Sequence, residues 1–145
     1  MRKIIYIVTQ SEFGGAQKNV LDLAIAFKNR YDVLVAAGPD GGGKLFKRLA
    51  DNKINWRQLK WLRRSAANPF IDFMGLVEIL SLLIKERPNL LHLHSSKAGF
   101  LGSLAGRLTG VKIVYTVHGA VFEASFSRLT RKFFLYLENF SAYFK

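Results

Sequence analysis

Two rhythms of apolar and polar positions take turns along this chain. Ile4, Ile5, Tyr6, Ile7 and Val8 form a short apolar run rich in β-branched residues. Such a run predicts a central parallel strand with both faces covered. Val20, Leu23, Ala24 and Phe27 then recur at helical spacing and predict a helix that buries one stripe. The unit repeats. Residues 31–37 (YDVLVAA) predict a second buried strand, and Gly38 to Gly43 (GPDGGG) a turn. Residues 44–52 predict a short helix with Leu45, Leu49 and Ala50 inward. Residues 54–62 (INWRQLKWL) are ambiguous, with a third strand among the readings. Asn68 before Pro69 predicts an N-cap with proline at the first helical position. That helix runs to about Glu86, stops before Pro88, and buries Phe73, Leu76, Val77, Leu80, Leu83 and Ile84.

Residues 89–94 (NLLHLH) predict the next strand, and Ser95 or Ser96 caps a helix from about Lys97 to Thr109 with Gly110 as its stop. Residues 112–117 (KIVYTV) predict another strand, ending in His118-Gly119, and a last helix begins near Ser127 with Leu129, Phe133, Leu137, Phe140 and Phe144 inward. The alternation predicts an α/β fold, a Rossmann-like, doubly wound parallel sheet flanked by helices. Ligands of such sheets sit beyond the carboxyl ends of the strands, near the topological switch point. That rule gathers Gly14-Gly15, Gly38–Gly43, His94–Lys97 and His118-Gly119 on one edge.

At 145 residues the chain is one ordinary domain with room for a core, and 50% hydrophobic residues exclude disorder. It has no cysteine, so disulfides and thiolate metal sites are excluded and nothing argues for secretion. Met1-Arg2-Lys3 leads straight into a strand rather than into a secretory leader. The most apolar segment, Phe70 to Ile84, is interrupted by Asp72, Gly75, Glu78 and Ser81, too polar and short to span a bilayer. Lys and Arg total 22 against 10 acidic residues, a net charge of +12. The imbalance points to an anionic partner. No nucleic-acid signature accompanies it, so a phosphorylated ligand or an anionic membrane surface ranks above nucleic acid.

Gly14 and Gly15 remove the Cβ atoms that would hold a ligand off the backbone, and the helix that follows offers its first N–H groups and dipole to an anion. A tight strand–helix turn is the plainer role. Glu12 and Gln17 are candidate polar contacts or solvated side chains. One of Ser95 and Ser96 caps its helix; the other, with Lys97, is placed to reach an anion at the helix start. His92 and His94 share a strand face, yet no Asp, Glu or Cys of the strand joins them, so no metal site is expected. His92 reads as core and His94 as lining the cleft edge. His118, beside a glycine at a strand end, is either hydrogen-bonded structure or part of a site.

FGGAQKNVLDLA, VAAGPDG, LLHLHSSKAGFLGSLAGRL and IVYTVHG, in this order and spacing, resemble the N-terminal half of group 1 (family 4) glycosyltransferases of the GT-B fold. The resemblance spans Lys3 to about Ala142. It implies sugar transfer from a nucleotide-sugar donor to a sugar, polysaccharide or lipid-linked acceptor. Transfer would retain anomeric configuration and use no metal or other cofactor. It further implies two Rossmann-like domains across a cleft, acceptor contacts coming mainly from the N-terminal one and most nucleotide-sugar contacts from the C-terminal one. His118 matches the family's histidine at this strand end, which makes it the catalytic candidate, hydrogen-bonding a sugar hydroxyl. Gly14, Gly15, Gln17, Ser95, Ser96, Lys97 and Gly119 are the substrate-binding candidates. The expectation is that residues 1–145 form the acceptor-side domain, as a fragment or one subunit of a split enzyme, with the donor-binding domain absent and the chain alone inactive.

Residues 56–64 (WRQLKWLRR) and the last helix, with Arg128, Arg131 and Lys132 near several Phe, mix aromatics with cations as interfacial segments do. The expected location is cytoplasmic, at the inner face of a membrane. A non-catalytic membrane-docking subunit serving a separate donor-binding chain is the alternative. A dinucleotide-binding domain is weaker, because FGGAQ is not G-x-G-x-x-G and no acidic residue closes the second strand.

Overall fold

The computed structural model describes residues 1–64 and 68–118. The elements run in the order β1 (Lys3–Val8), α1 (Gly15–Phe27), β2 (Asp32–Ala37), α2 (Lys44–Asp51), β3 (Asn55–Gln58), α3 (Pro69–Glu86), β4 (Leu90–His94), α4 (Ser96–Thr109) and β5 (Lys112–Thr116). The five strands form one sheet in the order β3-β2-β1-β4-β5, and every pairing is parallel. The ambiguous segment thus supplies the edge strand β3, with Leu59 and Leu62 just after it driven into the core. The last helix and Gly119 lie outside the described residues.

The strand period divides β1 between two cores. Ile5 and Ile7 join Leu91, Leu93 and the inner faces of α3 and α4, while Ile4, Tyr6 and Val8 join α1 and α2. Burying each such aliphatic side chain stabilises the fold by about 1.5–3 kcal/mol. From β1 the chain winds outward through β2 to β3, then crosses back so that β4 pairs with the other side of β1. The chain leaving β1 and the chain leaving β4 therefore lead to helices on opposite faces of the sheet, which makes their carboxyl ends the topological switch point.

Helix ends follow their local chemistry with one exception. Asn68 Oδ1 accepts the N–H groups of Phe70 and Ile71 at 3.1 and 3.2 Å ahead of Pro69, and Gly110 closes α4 in the left-handed region. The exception is α4's start, where Ser95 occupies the cap position but its hydroxyl makes no capping bond.

The helix faces hold corrections. Phe27 is exposed and meets Tyr31 edge-on, and Ala50 is exposed where Phe46 is buried. In α3 the sheet side is Gly75, Ile79, Leu82 and Leu83, so Phe73, Val77 and Ile84 point outward. The helix is apolar nearly all round, and periodicity then fixes no single face.

Candidate functional site at the carboxyl rim of the sheet

All the buried polar side chains among the described residues, Thr9, Ser11, Gln17 and His94, belong to one end of the molecule. Thr9 and Ser11 follow β1, Gln17 lies in the first turns of α1, and His94 ends β4. Burial of polar groups is costly unless they are hydrogen-bonded, and their partners stitch the rim together. Thr9 N–H donates to Ser95 Oγ at 3.1 Å, and the two hydroxyls pair directly. Thr9 Oγ1 also accepts the N–H of Ala98 at 3.3 Å. The residue after β1 therefore caps α4 in place of Ser95. Ser95 reaches Thr9 at φ 79°, ψ 152°, a region that costs a non-glycine residue about 1–3 kcal/mol.

Ser11 ties the β1 loop to the β2 loop. Its N–H donates to Asp40 O at 2.8 Å, its hydroxyl donates to the same oxygen at 3.0 Å, and its Oγ accepts Gly43 N–H at 3.2 Å. Gly38 is needed for this approach, because a Cβ there would lie 1.9 Å from Leu62 O and 2.2 Å from Thr9 O. Gly15 differs: a Cβ added there would meet nothing within 4 Å. The fold does not require glycine at 15, which lies exposed at the rim.

The histidines fall into a row. In parallel register His92 lies opposite Val114 and His94 opposite Thr116, and each bonds the β5 side two residues further on. His92 Nε2 is 2.7 Å from Thr116 Oγ1, and His94 Nδ1 is 2.6 Å from His118 Nε2. Tyr6 packs against both β4 rings. His94 is fully buried, and its Nε2 has no partner among the described residues. Burial, with His92 and His118 adding to it, pushes its pKa down to about 3. Burial also lowers His118, and lowers His92 with help from the His118 charge. At neutral pH the row is uncharged. The expected roles of His92 and His94 are thus exchanged: His94 is the core residue and His92 is half-buried. Among the described residues no set of three or more His, Cys, Asp and Glu side chains is arranged to hold a metal ion.

The rim thus brings together the glycine pair, the start of α4 and His118, along the neighbouring ends of β1, β4 and β5. Two candidates are turned to structural work. Gln17 is buried and donates through Nε2 to Gln10 O at 3.2 Å, and Lys97 Nζ pairs with Asp72 at 2.8 Å, joining α4 to α3. Ser96 is the first residue of α4 and half-buried. Thr9, Ser11 and His94 were not singled out as polar anchors by sequence. The signal available was a polar TQS directly after a fully apolar strand.

The family model for Glycosyltransferase Family 4 matches residues 13–144. A UDP-Gal:alpha-D-GlcNAc-diphosphoundecaprenol alpha-1,3-galactosyltransferase of Escherichia coli is 42% identical over 72 residues, 49% of this chain and 19% of that protein. Among solved structures, Anabaena HepE in complex with UDP and glucose superposes with a TM-score of 0.73 at 18% identity, over 96% of this chain and 36% of that one. A glycosyltransferase of Rickettsia africae gives 0.71 at 20% identity over 92% and 33%, and Acinetobacter baumannii MurG 0.68 at 18% over 91% and 39%. The structural likenesses show the fold. This chain spans about a fifth of the curated relative's length and about a third of the solved chains'.

Proposed function

This chain belongs to glycosyltransferase family 4, and we propose that it is the acceptor-side half of an enzyme that moves a sugar from a UDP-linked donor, with retention, to a lipid-diphosphate-linked sugar. The observation that supports the reading is the single rim at the switch point, where the Gly14-Gly15 turn, the start of α4 and His118 follow the neighbouring carboxyl ends of β1, β4 and β5. The UDP in HepE and the UDP-galactose and diphosphoundecaprenol in the relative's name support the donor and acceptor classes.

In this mechanism the acceptor hydroxyl attacks the anomeric carbon as the carbon–phosphate oxygen bond breaks. The hydroxyl proton passes to the departing phosphate oxygen. His118, held neutral by burial, orients the transferred sugar through a hydrogen bond and takes no proton. The loop at Gly14-Gly15 lets the donor phosphates approach the backbone. No metal takes part, so chelation with EDTA leaves the rate unchanged.

The acceptor's lipid is met by the outer face of α3 and α4. Phe70, Phe73, Val77 and Ile84 of α3 and Phe100, Leu104 and Leu108 of α4 are exposed, Ile84 by 63% and Phe73 by 60%. Exposed apolar area of this kind marks an interaction surface. Arg64, Lys85 and Arg87 lie before, within and just after α3, and Arg63 pairs with Asp40 at 3.8 Å. The carboxylates of α3 are engaged: Asp72 by Lys97, Glu78 by the N–H groups of Lys60 and Trp61, Glu86 by Lys3. α4 has no acidic residue. Apolar side chains rimmed by cations fit an anionic bilayer surface. Among the described residues no helix is long and apolar enough to cross a membrane.

The test is transfer of label from a UDP-[14C]sugar into the organic-extractable fraction, with the intact protein and with this chain alone. Label entering a lipid-linked saccharide with the intact protein only is expected. An intact protein that transfers label from no UDP-sugar to any lipid-linked or saccharide acceptor overturns the reading. Co-sedimentation with phosphatidylglycerol vesicles tests the membrane face: binding at low salt that falls with Phe73→Ser plus Ile84→Ser is expected, and no binding at low salt contradicts it.

A further inference from the structure

His94 is a second histidine at the rim, one that the mechanism above leaves unused. It is fully buried, its Nδ1 lies 2.6 Å from His118 Nε2, and its own Nε2 is buried without a partner among the described residues. A neutral imidazole carries one N–H, so a single proton lies between the two rings and there are two ways to place it. If His118 Nε2–H donates, His94 must carry its proton on Nε2, as a buried N–H with no acceptor. If His94 Nδ1–H donates, the unpartnered atom is a bare lone pair. Orphaned buried N–H groups are the rarer defect in folded proteins, and a stranded donor loses its full solvation.

We propose that His94 is a positioning residue that fixes the tautomer of His118: its Nδ1–H donates to His118 Nε2, so His118 bears its proton on Nδ1 and presents that N–H to a sugar oxygen. The site then asks its ligand for an acceptor at this point and offers no basic nitrogen, because the Nε2 lone pair is already occupied. His92 bonds the same strand pair, β4 and β5, one step earlier through Thr116, and Tyr6 packs over both β4 rings. The role of the presented N–H rests on the sugar-transfer reading of His118; the pairing itself does not.

Long-range ¹H–¹⁵N correlation of the histidine ring nitrogens in the 145-residue chain decides the pairing. Expected are a protonated Nδ1 and an unprotonated Nε2 on both His94 and His118. A proton on His118 Nε2 overturns the proposal. In the intact protein, His94→Leu should lower kcat about tenfold, the equivalent of one hydrogen bond, with KM little changed. His94→Asn, whose carboxamide N–H stands where Nδ1–H stood, should restore it. His94→Asp, which only accepts and draws the shared proton to His118 Nε2, should not. Equal losses in the Asn and Asp variants would reduce His94 to a packing residue and overturn the positioning role. A His118→Ala protein with undiminished turnover would instead remove His118 from the site, a failure of the transfer reading that leaves the tautomer result standing.

Discussion

At the amino end of the sheet Lys3 reaches Glu86 at 2.7 Å and Asp32 at 3.1 Å, and Arg57 of the edge strand approaches Glu86 at 3.7 Å. At the carboxyl end the ion pairs Lys97–Asp72 and Arg63–Asp40 lie in the helix starts and loops, while Thr9, Ser11 and His94 are buried and held by neutral hydrogen bonds. The first end is wet, so its ions are partly screened and cost little to keep. The second is dry. It tolerates a serine at φ 79° and a histidine nitrogen with no partner among the described residues. A scaffold gains nothing from such defects. Lys53 at φ 56° and Arg87 at φ 46° lie at the opposite end, so what sets the carboxyl rim apart is its buried polar side chains together with Ser95 at φ 79°, ψ 152°.

The largest expected break in this contrast is Gly38→Ala. Its Cβ would overlap two backbone oxygens, and neither oxygen can swing aside as a side chain could. A loss of about 3 kcal/mol or more is expected in urea unfolding, near the upper end for single substitutions. Thr9→Val comes next: it strands Ala98 N–H and removes the hydroxyl partner of Ser95, whose Oγ keeps the backbone N–H of residue 9, at about 1–3 kcal/mol.

Acid separates the two ends by pH. His94 refuses a proton in the folded state until about pH 3, whereas the unfolded chain takes it near pH 6.5. Stability is therefore full above 6.5 and falls as pH drops through that window, by up to about 1.4 kcal/mol per unit. Between pH 7 and 5, where carboxylates stay ionised, thermal unfolding should show a loss to which His94 contributes about 2 kcal/mol. His92 and His118, also lowered by burial, add their own shares. His94→Asn should remove the His94 share. An unchanged pH slope in the variant would place the titration elsewhere. Glu86, held below the usual carboxylate range chiefly by Lys3, contributes stability that is lost only as pH falls further. Glu86→Gln should accordingly be the mildest change, about 1 kcal/mol or less and smaller still at high salt.

The centre of the sheet was legible because β1 and β2 are continuous apolar runs, as suits strands covered on both faces, whereas the exposed edge strand β3 (NWRQ) was not. The order of elements and the Asn68-Pro69 start of α3 followed from local chemistry alone. What could not be read locally were partners supplied from far along the chain. A serine at a helix start suggests a cap, yet Ser95 turns to Thr9, 86 residues away in sequence. Lys97 at a helix start suggests an anion, and it found Asp72. Phe73, Val77 and Ile84 suggested core, because a helix apolar on every side offers no polar contrast to orient it. On the other layer α1 and α2 carry Lys18, Asp22, Lys47 and Arg48 outward, and there the inward positions Val20, Ala24, Leu45 and Leu49 were read correctly.

The central claim is that the carboxyl rim receives the acceptor sugar. It is tested most directly by titrating the ¹⁵N-labelled chain with a short-chain, soluble lipid diphosphate bearing N-acetylglucosamine and following every backbone amide. The account predicts that the amides of Gly14, Gly15, Ser95, Ser96, Lys97 and His118 shift together along one binding curve. Shifts centred on Lys3, Asp32 and Asn89 at the opposite end, or a rim that stays silent while the ligand binds, would contradict it.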